Sequence, residues 1–471
     1  MFDILISGCT LLTMNRKNEI LDDCDIGIND GRIQAIGRNL NVQAEKVLDG
    51  RDKYVLPGFI NTHTHAYQSL IEGVGYDMHF NPWNLRYLIP IISNMTPDLA
   101  GISGELAALE MIKSGTTAFS DHWYLHTDFE NIESVTDSFE KSGLRSHMVF
   151  GFLNESFAGR KSTGSAQGVL KEDAELLDRA ERFVRSRHGR NRTTCGLGPG
   201  STEDVGTDLF RNIINLGRKL DISLVTHIAG WVEIVSRSLE KYRLRDLEYA
   251  HSLGFTGEKS IAIHGVWLSE DEIRLAADTG TKIAHNPVAN MHLGYGIASV
   301  PRMIKSGITV GLGTDGAASY TYDMLEIGKT AAMLQKVDKM DAEALTAEKV
   351  LQMMTVDGAA VLGLEKDTGS IEIGKRADLI MIDNNCSNLL PGGRAVPKIL
   401  YSARGSDVTT TIVDGRILME DRVVLSMNEK EVVRRAGEAQ AVLFRNGGAE
   451  TAELLNAPWP DKGASWRTQN G

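Results

Sequence analysis

Cysteine is scarce in this chain. Four are present in 471 residues, Cys9, Cys24, Cys195 and Cys386. They lie far apart and form no CxxC pair, which excludes a disulfide framework and points to a reducing compartment. Long apolar runs are missing as well, and no window approaches the roughly 20 residues that cross a bilayer. The opening "MFDILISGCTLLTM" carries Asp3 and no basic region, so it does not read as a secretion signal. Positive charge is in deficit, with a net charge of -12. The short "RSRHGRNR" at 185–192 reads as a solvated loop. An acidic surface disfavours nucleic acid and anionic membrane as partners. These absences together lead us to expect a cytoplasmic protein.

What is there is an ordinary globular composition, 42% hydrophobic and 24% charged. The length calls for one large domain and a smaller one. The first fifty-odd residues alternate apolar and polar positions, as in "DILISGCTLLTM" and "CDIGINDGRIQAIG", with Asn-Asp-Gly at a turn. That is the texture of short antiparallel strands. It returns in "GSIEIGKRADLIMID" and "VTTTIVDGRILMEDRVV". Between these ends the rhythm changes to helix, turn glycine, apolar strand and terminal polar residue, at least five times. Repeated βα units imply a parallel sheet, and about 300 residues of them suit a closed barrel. The expected fold is α/β: a (β/α)8 TIM-like barrel with a small β-sandwich formed from the N- and C-terminal segments. We expect sandwich at 1–56 and 366–428, barrel at 57–365, and a C-terminal helix and tail at 429–471. The Gly- and Ser-rich stretch at 154–175 reads as a long surface connection, and the two tryptophans of the tail as packed against this chain or a neighbour.

The chemistry of such a barrel sits at the C-terminal ends of its strands. Polar residues expected there include His63, His65, His122, His227, His264, His285 and Asp315. His63 and His65, two apart in "LPGFINTHTH", share one face of a strand and reach one point. Imidazole is the commonest metal ligand, and a third histidine with a carboxylate would complete a divalent-metal site. A lone histidine is more simply a hydrogen-bonded structural residue. Several at successive strand ends are hard to explain as packing. His122 and His285 read as substrate contacts or as structural residues. His79, His126, His147, His188, His251 and His292 read as surface.

With "LPGFINTHTH", "TH" at 226–227, "IAIHGVWLSEDEI", "AHNPVANMHLGYGIASVPRMIKSGITVGLGTDGAAS" and "GSIEIGKRADLIMID" in order, the chain resembles the amidohydrolase superfamily over nearly its whole length. The branch it resembles holds triazine hydrolases and nucleobase or methylthioadenosine deaminases. The resemblance implies one divalent metal ion, zinc first, with iron, cobalt or manganese allowed. It implies His63, His65, His227 and Asp315 as ligands, Asp315 also as proton shuttle, and His264 as the residue that orients the attacking water. Trp267 stands where the family often has a second histidine. "TTCGLGPGS" has no lysine to bridge a second metal. Such an ion lowers the pKa of bound water to about 7. The family habit is also a homo-oligomer.

The chain departs from that pattern where ring substrates are read. Gly230 in "HIAG" replaces the glutamate of the family's HxxE, with Glu233 three residues further on. Gly200 replaces the histidine of "APH", and "AASYT" (317–321) stands for "AASNN". Glycine at both places enlarges the pocket and removes hydrogen bonds that a heteroaromatic base needs. Trp83, Trp123, Trp231 and Trp267 lie near motif segments and read either as ordinary packing or as lining of a more apolar cavity. The expected function is therefore hydrolysis of a non-peptide C–N bond of amide, carbamate or urea type, in a small apolar or aromatic substrate. The substrate contacts expected are His122, Trp83, Gly230, Glu233 and His285. The alternative is a deaminase or dechlorinase of a nitrogen heteroaromatic ring. A non-catalytic scaffold is disfavoured because the four ligands and His264 are all present.

Overall fold

The computed structural model describes residues 1–40, 42–74, 76–154 and 171–456. Most of the connection at 154–175, and the tail tryptophans, lie outside the described residues.

Eight parallel strands form the central sheet: Phe59–Thr64, Thr116–Trp123, Arg145–Phe152, Thr193–Pro199, Ser223–Ile228, Ser260–His264, Lys282–His285 and Val310–Leu312. Each pairs with the next in chain order. Helices follow the apolar-periodic segments, such as Pro97–Ser114, Thr207–Leu220 and Glu270–Thr279. Their ends obey local chemistry. Ser269 caps the last of these by accepting from Glu272 N–H, and Glu272 returns the contact in a capping box. Gly115 ends the first with φ of 89°, a conformation glycine adopts without strain.

The last strand meets the first through a short seam. Asp315 N–H donates to the His63 carbonyl at 2.9 Å, and Thr64 and Asp315 form a parallel bridge. The Asn61 side chain spans the same seam: its amide donates to Thr314 Oγ1 at 2.8 Å and its oxygen accepts from Thr314 N–H at 3.0 Å. Thr64 Oγ1 donates to the Asp315 carbonyl at 2.8 Å. The barrel is thus tied shut beside His63 and Asp315. Its axis is filled by a separate cluster of small and branched residues, including Ile60, Ala118, Val149, Val225, Ile263 and Ala284.

The terminal segments form one nine-stranded sheet from residues 2–57 and 379–424. Strand Lys53–Pro57 joins the halves, pairing in parallel with Phe2–Leu12 and antiparallel with Leu379–Asp383. The sheet closes on its own apolar core of Ile6, Ile26, Ile33, Val55, Leu379 and Ile412. Gly31 and Gly415 approach so closely that a Cβ on either would strike the other strand's backbone. Helix Glu429–Asn446 packs on Pro97–Ser114 and reaches the loop after the first barrel strand, where Gln440 donates to the Leu70 carbonyl.

Two histidines expected at the surface are buried. His147 lies between Ser120 Oγ at 2.9 Å and Ser223 Oγ at 2.7 Å, and His126 stacks on Phe150. The residues around each were too far apart in sequence to reveal this. No helix of the described residues is long and apolar enough to cross a membrane.

Barrel and sheet are joined by a buried ion pair. Arg145 Nε and a terminal nitrogen reach Asp378 Oδ2 and Oδ1 at 2.9 and 3.1 Å, and Asp378 also accepts from Asp414 N–H. Asp378→Ala leaves the guanidinium buried without its main partner. It is expected to cost about 3–5 kcal/mol, read as a fall in chemical-denaturation midpoint.

Candidate metal centre and its cleft

His63 and His65 end the first barrel strand, His227 lies near the end of the fifth, His264 ends the sixth, and Asp315 follows the eighth. One ligand atom from each of His63, His65, His227 and Asp315 lies within 4.8 Å of the others. Asp315 Oδ1 is 3.5 Å from Nε2 of both His63 and His65, and Oδ2 is 3.9 Å from Nε2 of His264. The imidazole rings of His63 and His65 meet edge to face at 4.6 Å, and those of His63 and His227 at 5.0 Å.

The chemistry of this donor set fits a divalent ion. Both ring nitrogens of His63 are fully buried without a hydrogen-bond partner, a costly state that a metal bond would relieve. The other rings are fixed from behind, as metal-bound histidines are. His65 Nδ1 lies 2.7 Å from the His122 carbonyl, and His227 Nδ1 hydrogen-bonds the Gly200 carbonyl. Donation to a carbonyl puts the proton on Nδ1 and leaves the Nε2 lone pair free. Burial and the neighbouring imidazoles hold His63 and His65 well below the ordinary histidine pKa, and His227 at about 4. All three are therefore neutral at pH 7, the form that binds metal.

His264 is held by Asn290, whose Oδ1 lies 2.8 Å from its Nδ1. His264 and Asp315 have φ of 73° and 65°. A left-handed backbone at two non-glycine residues is strain, and it turns both side chains toward one point at the strand ends.

A cleft open to solvent rises from this centre. His65, His227, His264 and Asp315 form its floor. Phe80, Trp83, Trp231 and Tyr295 line one side, with Phe80–Trp231 and Trp231–Tyr295 centroids 5.1 and 5.5 Å apart. Tyr124, Ser201, Glu203, Asp204 and Arg237 supply polar groups. Arg237 grips Glu203 through two bonds, 2.6 and 2.7 Å.

Several expected substrate contacts lie elsewhere. His122 is fully buried behind the ligands, its ring stacked on His227 and its Nε2 facing the Gly198 carbonyl. Its carbonyl, not its ring, serves the site. His285 is fully buried beyond the cleft lining. Glu233 is exposed in the first turn of helix Val232–Tyr242 and is not among the residues that line the cleft. Trp83 and Trp231 do line the cleft. Trp123 is core, and Trp267 is 42% exposed with its Nε1–H donating to the Tyr295 carbonyl. Sequence reasoning missed Phe80, Tyr124, Tyr295, Glu203 and Asp204. The acidic pair directly after "GPGST" was the one visible signal.

The two glycines do not leave empty space. A Cβ at Gly230 would lie 2.9 Å from the His264 ring, and one at Gly200 would lie 2.5 Å from Asp204 Oδ2 and 3.0 Å from the Tyr124 ring. Gly230 lets His264 approach. Gly200 makes room for a carboxyl. The expected enlargement of the pocket is therefore corrected, because neighbouring side chains take up the room.

The Amidohydrolase family model matches residues 54–418. The chain belongs to the amidohydrolase family. It is 37% identical to a 5'-deoxyadenosine deaminase of Methanobrevibacter smithii over 88% of this chain and 92% of that one. It is 34% identical to a 5-methylthioadenosine/S-adenosylhomocysteine deaminase of Haloarcula marismortui over 95% and 100%. Among solved structures, an adenosine deaminase from Xanthomonas campestris with bound zinc superposes with a TM-score of 0.88, at 24% identity over 94% of this chain and 98% of that one. An atrazine chlorohydrolase from Arthrobacter aurescens TC1 complexed with zinc gives 0.86, at 22% over 93% and 100%. The amidohydrolase assignment brings the barrel-and-sheet fold, a divalent metal and hydrolysis of C–N bonds other than peptide bonds, as the sequence led us to expect.

His65→Ala is expected to lose both bound metal and turnover, read by metal analysis and a hydrolysis assay; full turnover by the metal-free variant would overturn the assignment. Gly230→Glu is expected to retain metal and lose at least tenfold in turnover, because its side chain displaces His264.

Proposed function

We propose that this amidohydrolase is a hydrolytic deaminase of a nitrogen heteroaromatic ring, with an adenine-type nucleoside as its substrate class. The observation that carries this reading is the likeness, over nearly the full chain, to deaminases of 5'-deoxyadenosine and methylthioadenosine. The cleft supports it. Its aromatic side suits stacking of a flat ring, and its polar residues suit ring nitrogens and hydroxyls. The protein works as a cytoplasmic homo-oligomer in this reading, with zinc as the metal.

His63, His65, His227 and Asp315 would hold the ion, which supplies an acidified water and a Lewis acid. The remaining work belongs to the chain. Asp315, facing His264 and the ligand histidines, accepts the water's proton and passes it to the departing amine. His264 Nε2, steadied by Asn290, holds the attacking oxygen in line and stabilises negative charge as the ring carbon becomes tetrahedral. The aromatic residues exclude solvent from the face of the ring. The reaction exchanges the ring amino group and one water for a ring carbonyl and ammonia.

A second reading rests on Gly200 and Gly230, where the resembling deaminases carry ring-reading side chains. It is an amide, carbamate or urea hydrolase using the same centre. Zinc-loaded protein should release ammonia from 5'-deoxyadenosine or methylthioadenosine at a rate well above its release of amine from N-aryl ureas, thiocarbamates and anilides. Amine release from those compounds, with no ammonia from any aminopurine, would instead establish the second reading.

A further inference from the structure

Resting on the deaminase reading, a chemical gap remains. Water adds to a ring carbon only if an adjacent ring nitrogen accepts a proton, and neither Gly230 nor the exposed Glu233, which is not part of the cleft lining, provides one. The cleft contains another carboxyl suited to the task. Asp204 follows the fourth barrel strand by five residues and lines the same cleft as His227, His264 and Asp315. It is 6% exposed, and no ion pair to it is found among the described residues; Arg237 is engaged by Glu203 instead. Its Oδ2 lies where a side chain at Gly200 would start, and the Gly200 carbonyl in turn binds His227. The carboxyl and the metal-ligating His227 ring thus both rest against Gly200, one on its Cα side and one on its carbonyl.

We propose that Asp204 takes the place of the missing family glutamate, hydrogen-bonding the substrate's ring nitrogen and giving it a proton as water adds to the neighbouring carbon. The proton donated by Asp204 stays on the ring nitrogen in the product. Of the water's two protons, one leaves on ammonia through Asp315. The other passes to solvent, from which Asp204 is reprotonated. Asp204 is prepared for this role by burial, which, with Glu203 adding to it and Ser201 and Arg237 opposing it, raises its pKa to about 7. Tyr124 is the other titratable group of the cleft wall beside it. A group that is half protonated near neutrality matches a general acid working there. Gly200 is then required by the geometry, since any larger residue would evict the carboxyl.

The test uses zinc-loaded full-length protein and 5'-deoxyadenosine. Asp204→Asn keeps the size and hydrogen-bonding capacity of the side chain but has no acid to give. Turnover is expected to fall at least 100-fold, with KM changed less than fivefold and zinc content unchanged. Gly200→Ala, which displaces the carboxyl without altering it, should reproduce most of that loss. The wild-type kcat should decline as pH rises through the region of pKa 7, and the Asn variant should lack that decline. An Asp204→Asn enzyme within threefold of wild-type turnover would refute the role while leaving the deaminase reading intact. Absence of ammonia release by the wild-type enzyme would remove both. Loss of zinc in Asp204→Asn would show that Asp204 is structural and overturn the proposal, with Gly200→Ala read for the same loss.

Discussion

The site depends on where the barrel closes. The seam between the first and last strands is held by the Asp315–His63 backbone hydrogen bond and by Asn61 reaching Thr314. His63 and Asp315 are therefore fixed against each other by the contacts that complete the sheet, before any metal is considered. A side chain supplied by a loop would need its own support to be held as firmly. The left-handed backbone of Asp315 is tolerable because the hydrogen bonds on both sides of it determine its conformation.

Burial does the second part of the work. Imidazoles crowded into a dry strand end resist protonation, so neutrality at pH 7 is a property of the packing. The carbonyls of His122 and Gly200 then select the tautomer for His65 and His227. The same low-polarity surroundings act in the opposite sense on carboxyls. Asp121, Asp204 and Asp246 are all raised to about 7. Asp121 and Asp246 accept backbone N–H bonds from Ala66 and Ala229, which lie next to the active-site strand ends. Asp204 instead faces the cleft.

The barrel was legible because each strand is a short apolar run and each ends on a polar residue. That pattern located His63, His65, His227, His264 and Asp315. It could not distinguish a ring facing the cleft from a ring facing the neighbouring strand, which is why both readings stood open for His122 and His285. Glu233 was misjudged for another reason: the helix begins only at Val232, so its spacing from Gly230 does not set which way Glu233 faces. Tyr124, Tyr295 and Asp204 come from loops, and Phe80 from the start of a short helix, whose paths no local pattern sets. The glycines were read as gaps because a sequence records what a residue lacks and not what moves into its space. The sheet domain was legible at both ends from alternation and Asp-Gly turns, whereas its closure on itself is a contact between residues hundreds apart.

That closure bears on how the chain is made. Strand Lys53–Pro57 leads directly into the first barrel strand, yet one of its two partners is Leu379–Asp383. During synthesis the N-terminal strands emerge with an apolar face and one unsatisfied edge, and the whole barrel must be translated before that edge is covered. For most of its time on the ribosome the nascent chain is thus an open sheet attached to a growing barrel. Holding that edge apart from other chains is a requirement placed on the cell by the topology alone.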